Sequence, residues 1–254
     1  MNKQDIIAKL VERLEPLEYV HALWLEGADA NGTADAYSDI DLWVDVADAH
    51  IDEAIAMAEQ ALQEIAPFDY KAELPHGHPQ IRQLMYHLAG TSEYLIVDFC
   101  FQLHSRPEAQ YSYYEDDPLF AAKVIFDKSG VINISPGSPP VDTKANAALL
   151  KKMRLRYNKH IWVLKNVRRG HYLEAWENYR EYVIEPLVCL LRMIHTPAFA
   201  DVGCLHISLH VPPEDLRRLE ELTRVTTFAE MEANLPKARA WYAILEERLG
   251  GNLA

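Results

Sequence analysis

The chain has 254 residues, 49% hydrophobic and 25% charged, enough apolar material for one large domain or two ordinary ones to form a core without cross-links. Its formal net charge of -13 argues against an overall electrostatic grip on nucleic acid or anionic lipid. Three cysteines, Cys100, Cys189 and Cys204, lack paired-ligand spacing, which speaks against a disulfide framework or a cysteine zinc site and fits buried thiols in a reducing compartment; the expected location is the cytoplasm. No apolar run approaches the roughly 18 residues a membrane span needs, and no signal-peptide pattern is present.

The charge is unevenly placed. Residues 1–140 carry 8 Lys and Arg against 24 Asp and Glu, whereas residues 141–254 carry 17 against 14. Ser135-Pro136-Gly137-Ser138-Pro139-Pro140 lies at the boundary, and its prolines remove backbone donors and disfavour helix, so a linker is expected there.

Ile6, Ile7, Leu10, Val11 and Leu14 recur at helical spacing, predicting a helix over 4–15, followed by a strand over about 18–25. A Gly/Asn/Thr/Ser loop comes next, and then Ile40, Leu42, Val44 and Val46 alternate with polar or amphipathic positions as in a half-buried strand. A helix is expected over 51–65 and strands near 68–74, 81–88, 94–102 and 123–127. From 142 onward the pattern is helical, over 142–169, 172–195, 213–224 and 227–249. The expected class is α+β: a mixed sheet with flanking helices in a first domain over 1–140, then an all-α bundle over 141–254.

Asp39 and Asp41 flank Ile40, so on a strand both carboxylates project from one face while Ile40 anchors the other. Mg²⁺ takes oxygen ligands from one or two carboxylates together with substrate phosphates, which suits an Asp-x-Asp pair beside a phosphate-binding turn. Leu42, Trp43 and Val44 return to a strand pattern, which disfavours a calcium loop. Gly27 and Gly32 have P-loop spacing, but Thr33 and Ala34 stand where the lysine and hydroxyl belong. What remains is a glycine turn after a strand, twelve residues before Asp39, whose backbone N–H groups can cradle phosphate oxygens.

From Gly27 through Ser38-Asp39-Ile40-Asp41-Leu42 the segment resembles the signature of the DNA polymerase β-like nucleotidyltransferase superfamily: Gly-Ser, a short loop, then Ser-Asp-x-Asp. The resemblance implies a third acidic residue on a later strand, and Leu95-Ile96-Val97-Asp98-Phe99-Cys100-Phe101 has a lone carboxylate in an apolar run. It therefore implies Asp39, Asp41 and Asp98 as catalytic and metal-binding residues, with Gly27, Ala28 and Ser38 at the nucleotide. Ala28 departs from the pattern, because the family has a serine there whose hydroxyl binds phosphate. Lys123-Val124-Ile125-Phe126-Asp127-Lys128 is similar to the following strand of antibiotic-modifying members, those acting on aminoglycosides and lincosamides, which carry a helical C-terminal domain.

Nine basic residues and no acid lie between Thr143 and Leu173. Leu149, Met153, Tyr157, His160, Ile161 and Leu164 read as the apolar stripe of that helix, leaving Lys152, Arg156 and Lys159 on one flank. The family's helical domain supplies a Lys or Arg to the nucleotide phosphates, so these three are expected candidates. Glu174, Glu177, Glu181 and Glu185 form one stripe that either pairs with the basic helix or attracts a cationic acceptor. The opposite stripe, Tyr172, Trp176, Tyr179, Val183, Leu187 and Leu190, reads as core, with Pro186 bending the helix. His76 and His78, in a proline-flanked loop, read as exposed rather than metal-binding.

The resemblance implies Mg²⁺-dependent transfer of a nucleoside monophosphate, AMP from ATP or the equivalent from another nucleoside triphosphate, to a hydroxyl of a small, aminoglycoside-like acceptor. Asp98 either completes the metal site or accepts the hydroxyl's proton. Two further readings are adenylylation of a protein or RNA, as in antitoxin-like members, and a degenerate nucleotide-binding module. No membrane partner is expected, nucleic acid is disfavoured by charge, and a homodimer is compatible with the exposed faces of two domains.

Overall fold

The structure is a computed structural model and describes residues 2–106 and 111–252. It is α+β and divides into two compact units, Met1–Pro139 and Pro140–Ala254.

The first unit runs α1 (Lys3–Leu14), β1 (Val20–Leu25), α2 (Gly27–Asn31), β2 (Ile40–Val46), α3 (Ile51–Gln63), β3 (Phe68–Leu74), β4 (Ile81–Leu88), β5 (Ile96–Leu103), β6 (Tyr111–Tyr114), β7 (Lys123–Asp127) and β8 (Ile132–Ser135). Six strands form a mixed sheet in the order β3-β4-β5-β2-β1-β7, and β6 pairs with β8. The central neighbours β2 and β5 are parallel, with Asp41 in register with Asp98. Asn2 caps α1 through a reciprocal capping box with Asp5.

Alternation divides the two faces of this sheet. Ile40, Leu42, Val44 and Val46 of β2, with Val97, Phe99 and Phe101 of β5, point into one core that also takes Ile6, Leu10 and Leu14 of α1 and Ala54, Ala58 and Leu62 of α3. The residues between them, Asp41, Trp43 and Asp45 on β2 and Asp98, Cys100 and Gln102 on β5, therefore share the other face. There a smaller cluster of Ala22, Trp24, Tyr113 and Val131 packs with Trp43.

The second unit is helical: α4 (Thr143–Tyr157), α5 (Ile161–Arg169), α6 (Tyr172–Tyr179), a π-helical turn over Arg180–Ile184, α7 (Glu185–His195), α8 (Ile207–His210), α9 (Pro213–Thr223) and α10 (Phe228–Asn252). Two expected helices are thus interrupted. At 158–160 the chain tightens, with Lys159 and His160 donating to Arg156 and Tyr157 three residues back. The π turn immediately precedes Pro186, whose missing N–H and ring disturb the ladder of the preceding turn. After the first break Val163 enters the core while Ile161 is exposed; in the second helix Trp176 is exposed where core was expected, whereas Tyr179, Val183, Leu187 and Leu190 are buried as expected. Cys204 is exposed, unlike Cys100 and Cys189. No helix among the described residues is long and apolar enough to cross a membrane.

Candidate active site

The glycine turn folds tightly onto the second aspartate. Gly27 has φ +59, in the left-handed region where a side chain is strained, and a Cβ there would lie 2.1 Å from Asp41 Oδ2. Both facts require glycine, and they fix the turn against the carboxylate. Glu26, one residue earlier, donates its N–H to the Asp41 carbonyl at 3.0 Å. Residues 27–31, expected as loop, form one helical turn ended by Gly32 at φ 77.

Asp41 and Asp98 are half-buried register neighbours, and Asp39 is exposed at the mouth of β2. Asp39 Oδ1 accepts the Ile96 N–H at 3.2 Å, which holds the entrances of β2 and β5 together. Gln83 Nε2 donates to both oxygens of Asp98, at 2.9 and 2.8 Å. Burial, then the neighbouring charges of Asp98 and Asp39, push Asp41 up to about 6. Burial also raises Asp98, opposed by the Gln83 hydrogen bond.

The acidic group is wider than the three expected carboxylates. Burial raises Glu26, which accepts from the Tyr113 hydroxyl and, at 3.5 Å, from Trp24 Nε1. Lys3 of α1 pairs with Asp29 at 2.6 Å with both side chains nearly enclosed, and its charge is also felt by Asp41. His76 packs edge-on to Trp43 at 6.4 Å and its charge lowers Asp98, so this loop lies beside the site rather than merely in solvent. Sequence reasoning passed over Glu26, Gln83 and Lys3. Only Gln83 left a signal, as a polar position alternating with Leu84 and Tyr86 on the expected strand 81–88; the structure then sets it diagonally across from Asp98, with Met85 in register with Asp98 and Gln83 with Cys100.

Ser38 is turned inward on its own loop, its hydroxyl 2.9 Å from Asp35 Oδ1, with the Asp35 N–H donating back to it. Ala28 follows Gly27 in the first turn of α2, where amides lack intrahelical acceptors. The exposed rings of Tyr37 and Tyr94 meet edge to face at 5.1 Å, one just before Asp39 and one just before Ile96.

Lys152, Arg156 and Lys159 belong to the second unit. Lys152 and Arg156 line a cavity of about 530 Å³ with Arg180, Glu185, Asp201 and Cys204. Lys159 instead sits in the 158–160 turn, over the rings of Trp162 at 6.0 Å and Tyr182 at 5.6 Å. Arg156 meets Glu185 at 2.5 Å and Glu181 at 3.9 Å, and Arg180 pairs with Glu177 at 2.7 Å and also with Glu185. Three of the four glutamates of the stripe are thus engaged by arginine.

The donor chemistry fits Mg²⁺: oxygen ligands only, negative charge in excess, and a carboxylate so poorly compensated that it rises to about 6. Their oxygens are presently turned to Ile96, Gln83 and Gly27. Among the described residues, the one set of three metal-ligating groups with atoms within 4.8 Å of one another is His21, Asp45 and His104, elsewhere on the same sheet.

No protein-family model matches the chain, and no curated protein does. Among solved structures it is similar to an aminoglycoside 6-adenyltransferase from Bacillus subtilis, at 13% identity and TM-score 0.39, over 100% of this chain and 92% of that one. It is also similar to spectinomycin adenyltransferase AAD(9) from Enterococcus faecialis, solved with ATP and spectinomycin, at 13% identity and TM-score 0.34, over 98% and 100% of the two chains. A third likeness, to the GLD-2/RNP-8 complex, has 10% identity and TM-score 0.29 over 90% and 70%. Likenesses at this level assign neither family nor activity.

Proposed function

We propose that this chain is a metal-dependent nucleotidyltransferase of the DNA polymerase β-like superfamily, with residues 1–140 as its catalytic domain. The observation that carries the reading is the register pairing of Asp41 with Asp98 on parallel strands, with Gly27 pressed against Asp41. Asp39 and Asp41 would hold Mg²⁺, which when bound neutralises charge on the triphosphate. The hydroxyl oxygen of the acceptor attacks the α-phosphorus of ATP, the bond to the β-phosphate oxygen breaks, and pyrophosphate leaves. Asp98 takes the hydroxyl proton. Gln83 fixes its orientation, and burial raises its basicity toward the range a general base needs.

Tyr37 and Tyr94 offer exposed ring faces near Asp39 for a nucleobase or a sugar. Of the three basic candidates of the second unit, Arg156 is engaged by Glu185 and Lys159 by two aromatic rings, so Lys152 is the one we retain. The acceptor we favour is a small polyhydroxylated amine of the aminoglycoside kind, since the face carrying Asp39, Asp41, Asp98 and Glu26 attracts cations.

The test combines the protein, Mg²⁺, α-labelled ATP and a panel of aminoglycosides and lincosamides. Labelled acceptor and pyrophosphate should appear together, and both should vanish with Asp39→Asn plus Asp41→Asn. Transfer that survives this pair sinks the mechanism. Label on a protein or RNA band of a lysate, without small-molecule product, would move the acceptor to a macromolecule, and Mg²⁺-dependent ATP binding without any transfer would make the chain a nucleotide-binding module.

A further inference from the structure

The polar face of the sheet carries a second constellation that nucleotidyl transfer does not use. Asp45 is four residues beyond Asp41 on β2, so it points from the same face about 13 Å further along the strand. His104 follows β5, its N–H bonded to the Val46 carbonyl at 2.8 Å. His21 is the extra residue of a bulge in β1: Val20 pairs with Val46 and Ala22 with Asp45, leaving His21 out of register. Bulges re-aim a side chain, and here one nitrogen of His21, one of His104 and an oxygen of Asp45 come within 4.8 Å of one another.

The geometry points to a binding site for a first-row transition metal, Zn²⁺ in the first instance, held by His21, Asp45 and His104 with a coordination position open to solvent. Three features separate it from an ordinary ion pair. One imidazolium would neutralise Asp45, yet a second imidazole is packed against the first with ring centroids 4.1 Å apart, which adds nothing to that balance but supplies a ligand. An outer shell is also built. Gln102 Nε2 donates to Asp45 Oδ2 at 2.6 Å, and Arg106 donates to Gln102 Oε1 at 2.9 Å. His21 Nδ1 meets Ser129 Oγ at 3.1 Å; with Nδ1–H donating there, Nε2 keeps the lone pair a metal requires.

The third feature is the contrast in exposure. Asp45 is fully buried while the His104 side chain is 44% exposed, so the carboxylate is fixed and the approach lies on the imidazole side. Asp45 Oδ1 and His104 Nδ1 stand 2.5 Å apart, and tetrahedral zinc spaces its ligands by about 3.3 Å, so opening this pair to admit the ion needs a movement of under about 1 Å on the exposed side. Two imidazoles and one carboxylate favour Zn²⁺ or Co²⁺ over Mg²⁺, whereas Asp39, Asp41 and Asp98 offer oxygen alone.

Titration of the full-length protein with Co²⁺, in excess Mg²⁺ to saturate oxygen-only sites, tests this directly. The expected result is one Co²⁺ per chain with the intense visible bands of a four-coordinate nitrogen and oxygen site, displaced by Zn²⁺. His104→Ala, at an exposed position, should weaken binding at least about 100-fold, and Ser129→Ala, which touches no metal, about 10-fold. Asp39→Asn plus Asp41→Asn should leave it unchanged, and circular dichroism confirms that each variant folds. Absence of the bands, or bands that persist in His104→Ala, overturns the site, as do bands lost on replacing the exposed thiol in Cys204→Ser.

Discussion

Acidic residues cluster in both units, and the structure treats them oppositely. In the helical unit Glu177, Glu181 and Glu185 meet Arg180 and Arg156 and are neutralised where they stand. In the first unit Asp39, Asp41 and Asp98 share one sheet face, the partners of Asp39 and Asp98 are an N–H and an amide, and Asp41 is pushed up to about 6. An uncompensated charge in a folded protein is a cost that packing alone does not explain, whereas an ion-paired stripe needs no ligand to account for it.

The largest effect that could break this contrast is on turnover. Asp39→Asn plus Asp41→Asn should lower AMP transfer at least about 100-fold, measured by product formation from labelled ATP, because charge stabilisation of this kind is worth that much or more. Asp98→Asn should cut kcat comparably while leaving Mg²⁺–ATP affinity, read by calorimetry, within about threefold.

Gly27→Ala comes next. Displacing the Asp41 carboxylate by an ångström or so should cost about 100-fold in kcat/KM. The φ of +59 should also lower stability by about 1 kcal/mol, read as a shift in denaturant midpoint.

A smaller effect sharpens the comparison through pH. The folded pKa of Asp41, about 6, lies above its unfolded value of about 4, so between those values the folded state holds the extra proton. Asp41's contribution therefore favours folding below this window and falls as pH rises through it, the reverse of a salt-bridged carboxylate. Allowing for partial exposure, Asp41→Asn should raise stability at pH 7 by roughly 1–2 kcal/mol and flatten the profile between about pH 4 and 6. Added Mg²⁺ should flatten the wild-type profile as well. Glu185→Gln gives the smallest change, under about 1 kcal/mol, because its arginine partners remain partly solvated.

The period-2 pattern of β2 and the lone acid of β5 were legible because one face of each strand is core and the other is not. What could not be read is set by non-local pairing or by backbone adjustment. Tyr111–Tyr114 and Ile132–Ser135 are strands only because they pair with each other across a long gap. The break at 158–160 has neither Gly nor Pro to announce it, and the π turn over Arg180–Ile184 interrupts the helix while Val183, Leu187 and Leu190 of the expected stripe stay buried. The metal candidate at His21 was invisible for the same reason, since a bulge is a property of two strands and not of one.

The contact between Gly27 and Asp41 has a spectroscopic consequence. With no side chain between them, the α-protons of Gly27 sit in the field of the Asp41 carboxylate, and glycine α-protons are easily distinguished in a proton–carbon correlation spectrum. Their chemical shifts should follow the ionisation of Asp41 and the arrival of a cation in the intact protein, making Gly27 a native reporter that needs no label beyond carbon-13.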